Sequence, residues 1–310
     1  MTKIKSYLSL IKFSHTIFAM PFALIGFFLA IKCLKRIPGI WKIRLDFMDE
    51  MTERVNLYFK NNWYVFVFMI LCMVFARSAA MAFNRYLDRK FDAKNPRTAV
   101  REIPSGIITP KNALIFTIAS CILFIACCFF INRICFYLSP VALAVVLGYS
   151  YTKRFTPLCH LILGLGLSLA PIGAYLAVTG SFSLLPIFFS LAVLFWVSGF
   201  DIVYALQDEE FDKSQQLYSI PAWLGKRKAL RVSEFLHLIS AAAILYAGYY
   251  GHFGWLYWAG SAVFLGMLLY QHSIVKPTDL KRVNIAFMTA NGIASVVFAI
   301  FVIADIFVNN

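Results

Sequence analysis

The chain has 310 residues, of which 61% are hydrophobic and only 14% charged, and its mean hydropathy is +0.74. Soluble domains carry roughly 25% charged residues, so this composition excludes a soluble globular domain. The net charge of +14 is spread over short stretches between apolar blocks. That distribution argues against a nucleic-acid partner and for anionic lipid headgroups and an anionic ligand.

In chain order, the apolar blocks predict nine spans, at residues 14–33, 62–83, 112–131, 135–152, 157–180, 184–206, 231–250, 254–271 and 284–308. Each approaches the ~20 residues that carry a helix across ~30 Å of hydrocarbon. The runs do not alternate, which favours helices over barrel strands, and only those two structures satisfy their backbone polar groups in lipid. The first block continues to Cys33 without an A-x-A-like site and leads into Lys35 and Arg36, so it reads as a membrane helix and not as a cleaved signal. No low-complexity linker interrupts the chain. The expected fold is all-α, one polytopic membrane domain over residues 1–310 with about nine transmembrane helices.

Loop charges orient the bundle. With the N-terminus (Lys3, Lys5, Lys12) in the cytoplasm, the connections at residues 84–111, 153–154, 207–231 and 272–283 hold seven, two, five and three basic residues. Three later connections on the other face hold only Arg133, as the positive-inside rule requires. This predicts a multi-pass protein of the inner membrane. Residues 34–61 break the rule with six basic residues, and Trp41, Phe47, Met51, Val55 and Tyr58 recur there at helical spacing. An amphipathic helix lying at the interface is the expectation for them. The seven cysteines form no CxxC pair and read as packing residues.

Two polar clusters interrupt this apolar background. In the first, Asn84, Asp88 and Asp92 stand at i, i+4 and i+8, one face of a helix. In the second, Asp201, Asp208 and Asp212 stand at i, i+7 and i+11, again one face, with Glu209 and Glu210 off it. Asp201 falls inside an apolar run, where a carboxylate costs ~2.5 to 3.5 kcal/mol and needs a partner or a cavity. Either cluster alone is most simply a solvated loop. Two at the same end of the bundle would repel unless cations stood between them, and a diphosphate carrying Mg²⁺ satisfies both. Arg77, two turns before Asn84 inside a span, and Lys153 with Arg154, ending the fourth span after Tyr149, add the cations that a leaving diphosphate calls for. The two clusters, each following a membrane helix, also form a weak internal repeat.

The pattern N-x-x-x-D-x-x-x-D from Asn84, the R-x-x-x-R-x-x-P-S-G from Arg97, the Y-x-x-x-K-R from Tyr149 and the D-x-x-Y-A-x-Q-D-x-x-x-D from Asp201 resemble the signatures of the UbiA superfamily of membrane prenyltransferases. The resemblance implies nine helices around a cavity capped by both aspartate clusters, with Mg²⁺ and diphosphate at Asn84, Asp88, Asp92, Asp208 and Asp212. It implies further that Lys153 contacts diphosphate and that Arg77 and Asp201 lie near the reacting centre. Residues 12–22, 76–84 and 219–222 resemble the 4-hydroxybenzoate polyprenyltransferase-like branch, which includes the futalosine-route menaquinone prenyltransferase. Lys12-Phe-Ser-His departs from the Arg-Asp-Lys-Pro of typical 4-hydroxybenzoate enzymes at that position. The implied partners are a polyprenyl diphosphate, an aromatic acid and membrane lipids, with Asp201 assisting loss of the acceptor's phenolic proton.

Other features read plainly. His160, His237, His252 and His272 show no mutual ligand spacing and are expected to pack, and Gly164 and Gly166 are expected to permit close helix approach. A transporter or lipid carrier with acidic gates is the alternative, mildly supported by Pro140 and Pro171. A scaffold subunit would leave both clusters unexplained.

Overall fold

A computed structural model describes residues 3–11, 18–35 and 50–309. The described residues form helices and connecting turns, with no strand among them. In chain order the helices are α1 (Lys3–Leu10), α2 (Met20–Cys33), α3 (Met51–Lys94), α4 (Pro110–Ile131), α5 (Arg133–Thr152), α6 (Cys159–Thr179), α7 (Leu184–Ala205), α8 (Glu209–Ser214), α9 (Ile220–Tyr250), α10 (Trp255–Ile274) and α11 (Asn291–Val308). A π-helical turn, Ile285–Ala290, leads into α11. A helix stands at each of the nine expected positions. Seven are long and apolar enough to cross a membrane, which makes this an integral membrane protein. α2 is apolar but has 14 residues, and α10 has the length without being among the seven.

Local signals account for the boundaries. Thr109 accepts a hydrogen bond from the Asn112 N–H and Pro110 occupies the first turn of α4. Asn132 caps α5 in the same way, and its amide reaches across to the Leu176 and Ala177 carbonyls at the end of α6. Gly180 closes α6 with φ +64°, where a side chain would strain the backbone.

The core lies where α2, α6, α7, α9 and α11 meet. Trp196 of α7 is fully buried among Phe22, Phe200 and Phe264, and its indole N–H donates to Asn291 Oδ1 at 2.9 Å. Lipid tails are as apolar as these side chains, so close packing holds the helices together. A Cβ at Gly26 would collide with the Pro171 carbonyl, and one at Gly164 with Leu194 and Ser198. Gly164 thus acts as expected. Gly166 does not: its nearest neighbour would be a Val146 methyl at 3.9 Å.

α3 has 44 residues, and the part after its kink at Asn62 runs roughly 48 Å at 1.5 Å per residue, more than the ~30 Å of a bilayer core. Its last turns therefore carry Asn84, Asp88 and Asp92 beyond the span. At its other end, non-helical backbone at Asn62 breaks the axis. Of the predicted interfacial helix, Trp41 and Phe47 lie outside the described residues. Met51 and Tyr58 are buried and Val55 packs against the bundle core, so this face covers protein and not a membrane surface.

The two polar clusters meet at one end. Lys94 Nζ donates to Gln215 Oε1 at 3.1 Å, and the Tyr218 N–H donates to the Lys153 carbonyl at 2.7 Å. Lys94 and Lys213 are both exposed there. A cysteine at either position, in a background without native cysteines, should react with an impermeant maleimide from the cytoplasmic face alone. Labelling on opposite faces would separate the clusters.

Candidate active site

A cavity of about 700 Å³ opens at this end, and every residue singled out in the sequence lines it: Arg77, Asn84, Asp88, Asp92, Lys153, Arg154, Asp201, Asp208 and Asp212. Among the described residues its wall carries six carboxylates and six Arg or Lys side chains, so acid and base are matched before any ligand enters.

α3 supplies one wall. Asn84 donates from Nδ2 to Asp88 Oδ2 at 3.1 Å, and Arg154 donates to Asp88 Oδ1 at 2.9 Å, so both carboxylate oxygens are oriented. Asp92 is buried and takes Arg101 at 2.6 Å, with Arg85 4.0 Å away. The opposite wall is the chain after α7. The expectation of a continuous face through Asp201, Asp208 and Asp212 is corrected here. α7 ends at Ala205, a 3₁₀ turn holds Leu206–Asp208, and α8 begins afresh at Glu209. All three aspartates nonetheless line the cavity.

Asp208 pairs with Arg97, whose guanidinium also donates to the Tyr204 hydroxyl at 2.9 Å. Asp212 has no exposure and takes Lys153 at 2.7 Å and the Ser219 hydroxyl at 2.9 Å. Lys153 lies past the last turn of α5. Burial there opposes its charge, but the Asp212 carboxylate more than offsets this and raises its pKa above the ordinary lysine value. The ammonium is therefore fully charged at neutral pH. Arg97 and Arg101, which the sequence marked only as the arginines of the R-x-x-x-R-x-x-P-S-G pattern, are the partners of Asp208 and Asp92.

Glu209 belongs elsewhere. It is buried and bridges Lys213 at 2.6 Å and Lys226 at 3.9 Å, tying α8 to α9, whereas Glu210 is exposed. Two expectations about histidines are corrected as well. His160 Nδ1 lies 2.6 Å from Asp201 Oδ2 in the cavity wall, and His237 Nδ1 lies 2.7 Å from His272 Nε2 between α9 and α10. The partners sit 41 and 35 positions apart, so sequence spacing could not pair them.

The polar cavity shares Arg77, Met81, Tyr149, Leu163 and Leu167 with a second chamber of about 400 Å³. That chamber runs between α3, α4, α5 and α6 and is lined by Met69, Met73, Phe124, Leu138, Val145 and other apolar side chains. Arg77 stands at the junction with its Nε buried and unpartnered. One compartment thus suits anionic oxygen and the other a hydrocarbon chain.

The donor set suits a divalent cation. Carboxylate and amide oxygens from two walls are the hard ligands that Mg²⁺ takes. Among the described residues no three His, Cys, Asp or Glu groups converge into a closed cage. Mg²⁺ rarely uses such a cage; it is held by one or two carboxylates together with substrate phosphates and water, which these walls fit.

A helical membrane bundle with carboxylates and cations over an apolar chamber defines a class, and residues 57–293 match the UbiA prenyltransferase family. The chain belongs to that family and is a membrane prenyltransferase. It is 29% identical over 235 residues to the 4-hydroxybenzoate octaprenyltransferase of Nitrosomonas europaea, covering 76% of this chain and 80% of the relative. Its fold resembles the apo structure of a UbiA homologue from Aeropyrum pernix, with a TM-score of 0.74, 27% identity and coverage of 95% of this chain and 98% of the other. It also resembles a UbiA homologue from Archaeoglobus fulgidus bound to GPP and Mg²⁺, with a TM-score of 0.72, 20% identity and coverage of 97% and 99%.

Proposed function

We propose that the chain transfers a polyprenyl group from polyprenyl diphosphate to an aromatic acid, 4-hydroxybenzoate or a dihydroxynaphthoate-type acceptor, in quinone biosynthesis at the cytoplasmic face of the inner membrane. One observation carries this reading: the polar cavity with both carboxylate sets adjoins an apolar chamber and shares Arg77 and Tyr149 with its lining. A diphosphate head and its isoprenoid tail have that division of character. The name of the Nitrosomonas relative supports an aromatic acid, and Arg77 offers a cation for its carboxylate beside the junction.

Asn84, Asp88, Asp92, Asp208 and Asp212 would hold Mg²⁺ together with the diphosphate. When bound, the metal supplies positive charge against the diphosphate oxygens. Lys153 and Arg154 hold the remaining oxygens, so charge that develops as the allylic C–O bond breaks meets cations already in place. The apolar chamber confines the tail and keeps water from the allylic cation. The ring carbon ortho to the phenol then forms the new bond, with Asp201 as the acceptor of the phenolic proton.

The test is chemical. Membranes carrying the chain are incubated with radiolabelled polyprenyl diphosphate and a panel of aromatic acids. One acid should become labelled, with a product mass equal to acceptor plus prenyl group less one hydrogen. Labelled prenyl alcohol with no labelled acid would remove the acceptor assignment.

A further inference from the structure

His160 was expected to be packing, and its surroundings are those of a working group. The imidazole is 3% exposed, lines the polar cavity and sits 2.6 Å from Asp201 through Nδ1. On its far side the Ile220 backbone N–H donates to Nε2 at 3.4 Å. A backbone N–H can only donate, and this contact favours the tautomer in which Nε2 accepts while Nδ1 carries the hydrogen given to Asp201 Oδ2. Ile220 opens α9, and the preceding Ser219 holds Asp212 through its hydroxyl while capping the same helix. One turn therefore fixes a carboxylate of the diphosphate wall and, through His160, the carboxylate below it.

We propose that His160 is a positioning residue for acceptor activation: it engages Asp201 Oδ2 so that Oδ1 alone faces the acceptor. This rests on the proposed reading, in which Asp201 takes the phenolic proton. The phenol O–H bond breaks, its proton passes to Oδ1, and the electron pair moves through the ring to form the bond from the ortho carbon to the allylic carbon. The C–O bond to diphosphate breaks with its pair on the departing oxygen. The ring hydrogen displaced at the ortho carbon restores the hydroxyl, and the proton on Asp201 leaves with the diphosphate. A carboxylate free to rotate would share itself between wall and acceptor. A tethered one has a single direction in which to accept, and such preorganisation is what positions a base for catalysis.

The experiment compares His160→Leu, His160→Asn and Asp201→Asn in the full chain, purified in detergent, with the acceptor that the panel identifies. His160→Leu should lower kcat by roughly 10- to 10²-fold, within what a positioned base contributes, and leave the KM for polyprenyl diphosphate within about twofold. His160→Asn, whose amide N–H stands where Nδ1–H stood, should recover most of that loss. Wild-type kcat in His160→Leu alongside a slow Asp201→Asn would overturn the positioning role and leave the proposed base intact. Full activity in Asp201→Asn would overturn the base itself. Equal losses in both His160 variants, with equal losses of thermal stability, would make the histidine a packing residue and end the proposal.

Discussion

Asp88→Asn and Asp208→Asn should each reduce prenyl transfer by well over ~10²-fold, the loss expected when a main electrostatic stabiliser is removed. Both side chains face the cavity from opposite walls, and both retain part of their exposure, 27% for Asp88 and 13% for Asp208. An amide keeps their shape, so expression and helix content should hold. What disappears is negative charge: Arg154 then faces a neutral partner on one wall and Arg97 on the other, and the oxygen donors for a divalent cation weaken on both. Glu210→Gln is the matched control, because Glu210 is exposed and holds no cavity contact. Glu209 cannot serve as one, since its burial between Lys213 and Lys226 joins α8 to α9. Initial rates in membranes, normalised to protein amount, decide the matter. Similar mild losses in Asp88→Asn, Asp208→Asn and Glu210→Gln would dissolve the two-walled site into a solvated loop.

Much of this site was legible because helix periodicity is local. Asn84, Asp88 and Asp92 repeat every four residues, and α3 is unbroken there, so one face in the sequence is one face in space. The expense of Asp201 within an apolar run likewise demanded a partner or a cavity, and the fold supplies both. What stayed hidden depends on contacts between distant segments. The partner of Asp201 is on α6, and nothing in the apolar run around His160 marks it. The break after Ala205 is equally silent, because Leu206, Gln207 and Asp208 are as compatible with α-helix as with the 3₁₀ turn they form. Periodicity through that break put Glu209 off the cavity face, and its bridge to Lys226 on α9 is a contact that spacing does not show. The positive charge between α2 and α3 misled in another way: Met51, Val55 and Tyr58 have amphipathic spacing, and the surface that satisfies it is the bundle's own core.

Removing divalent cations should abolish transfer altogether. Five aspartates, Glu102 and Asn84 line the cavity together with six basic side chains, so its walls are neutral overall before a donor enters. A diphosphate brings further negative charge among those carboxylates, and at short range in a partly desolvated cavity that repulsion outweighs what Lys153 and Arg154 alone return. Binding and ionisation of the donor therefore call for added positive charge, which Mg²⁺ carries. The decisive measurement is the rate of labelled product formation by membranes in excess chelator, before and after Mg²⁺ is restored above the chelator concentration. No product in chelator and full recovery with Mg²⁺ is the predicted result; an undiminished rate in excess chelator would contradict it.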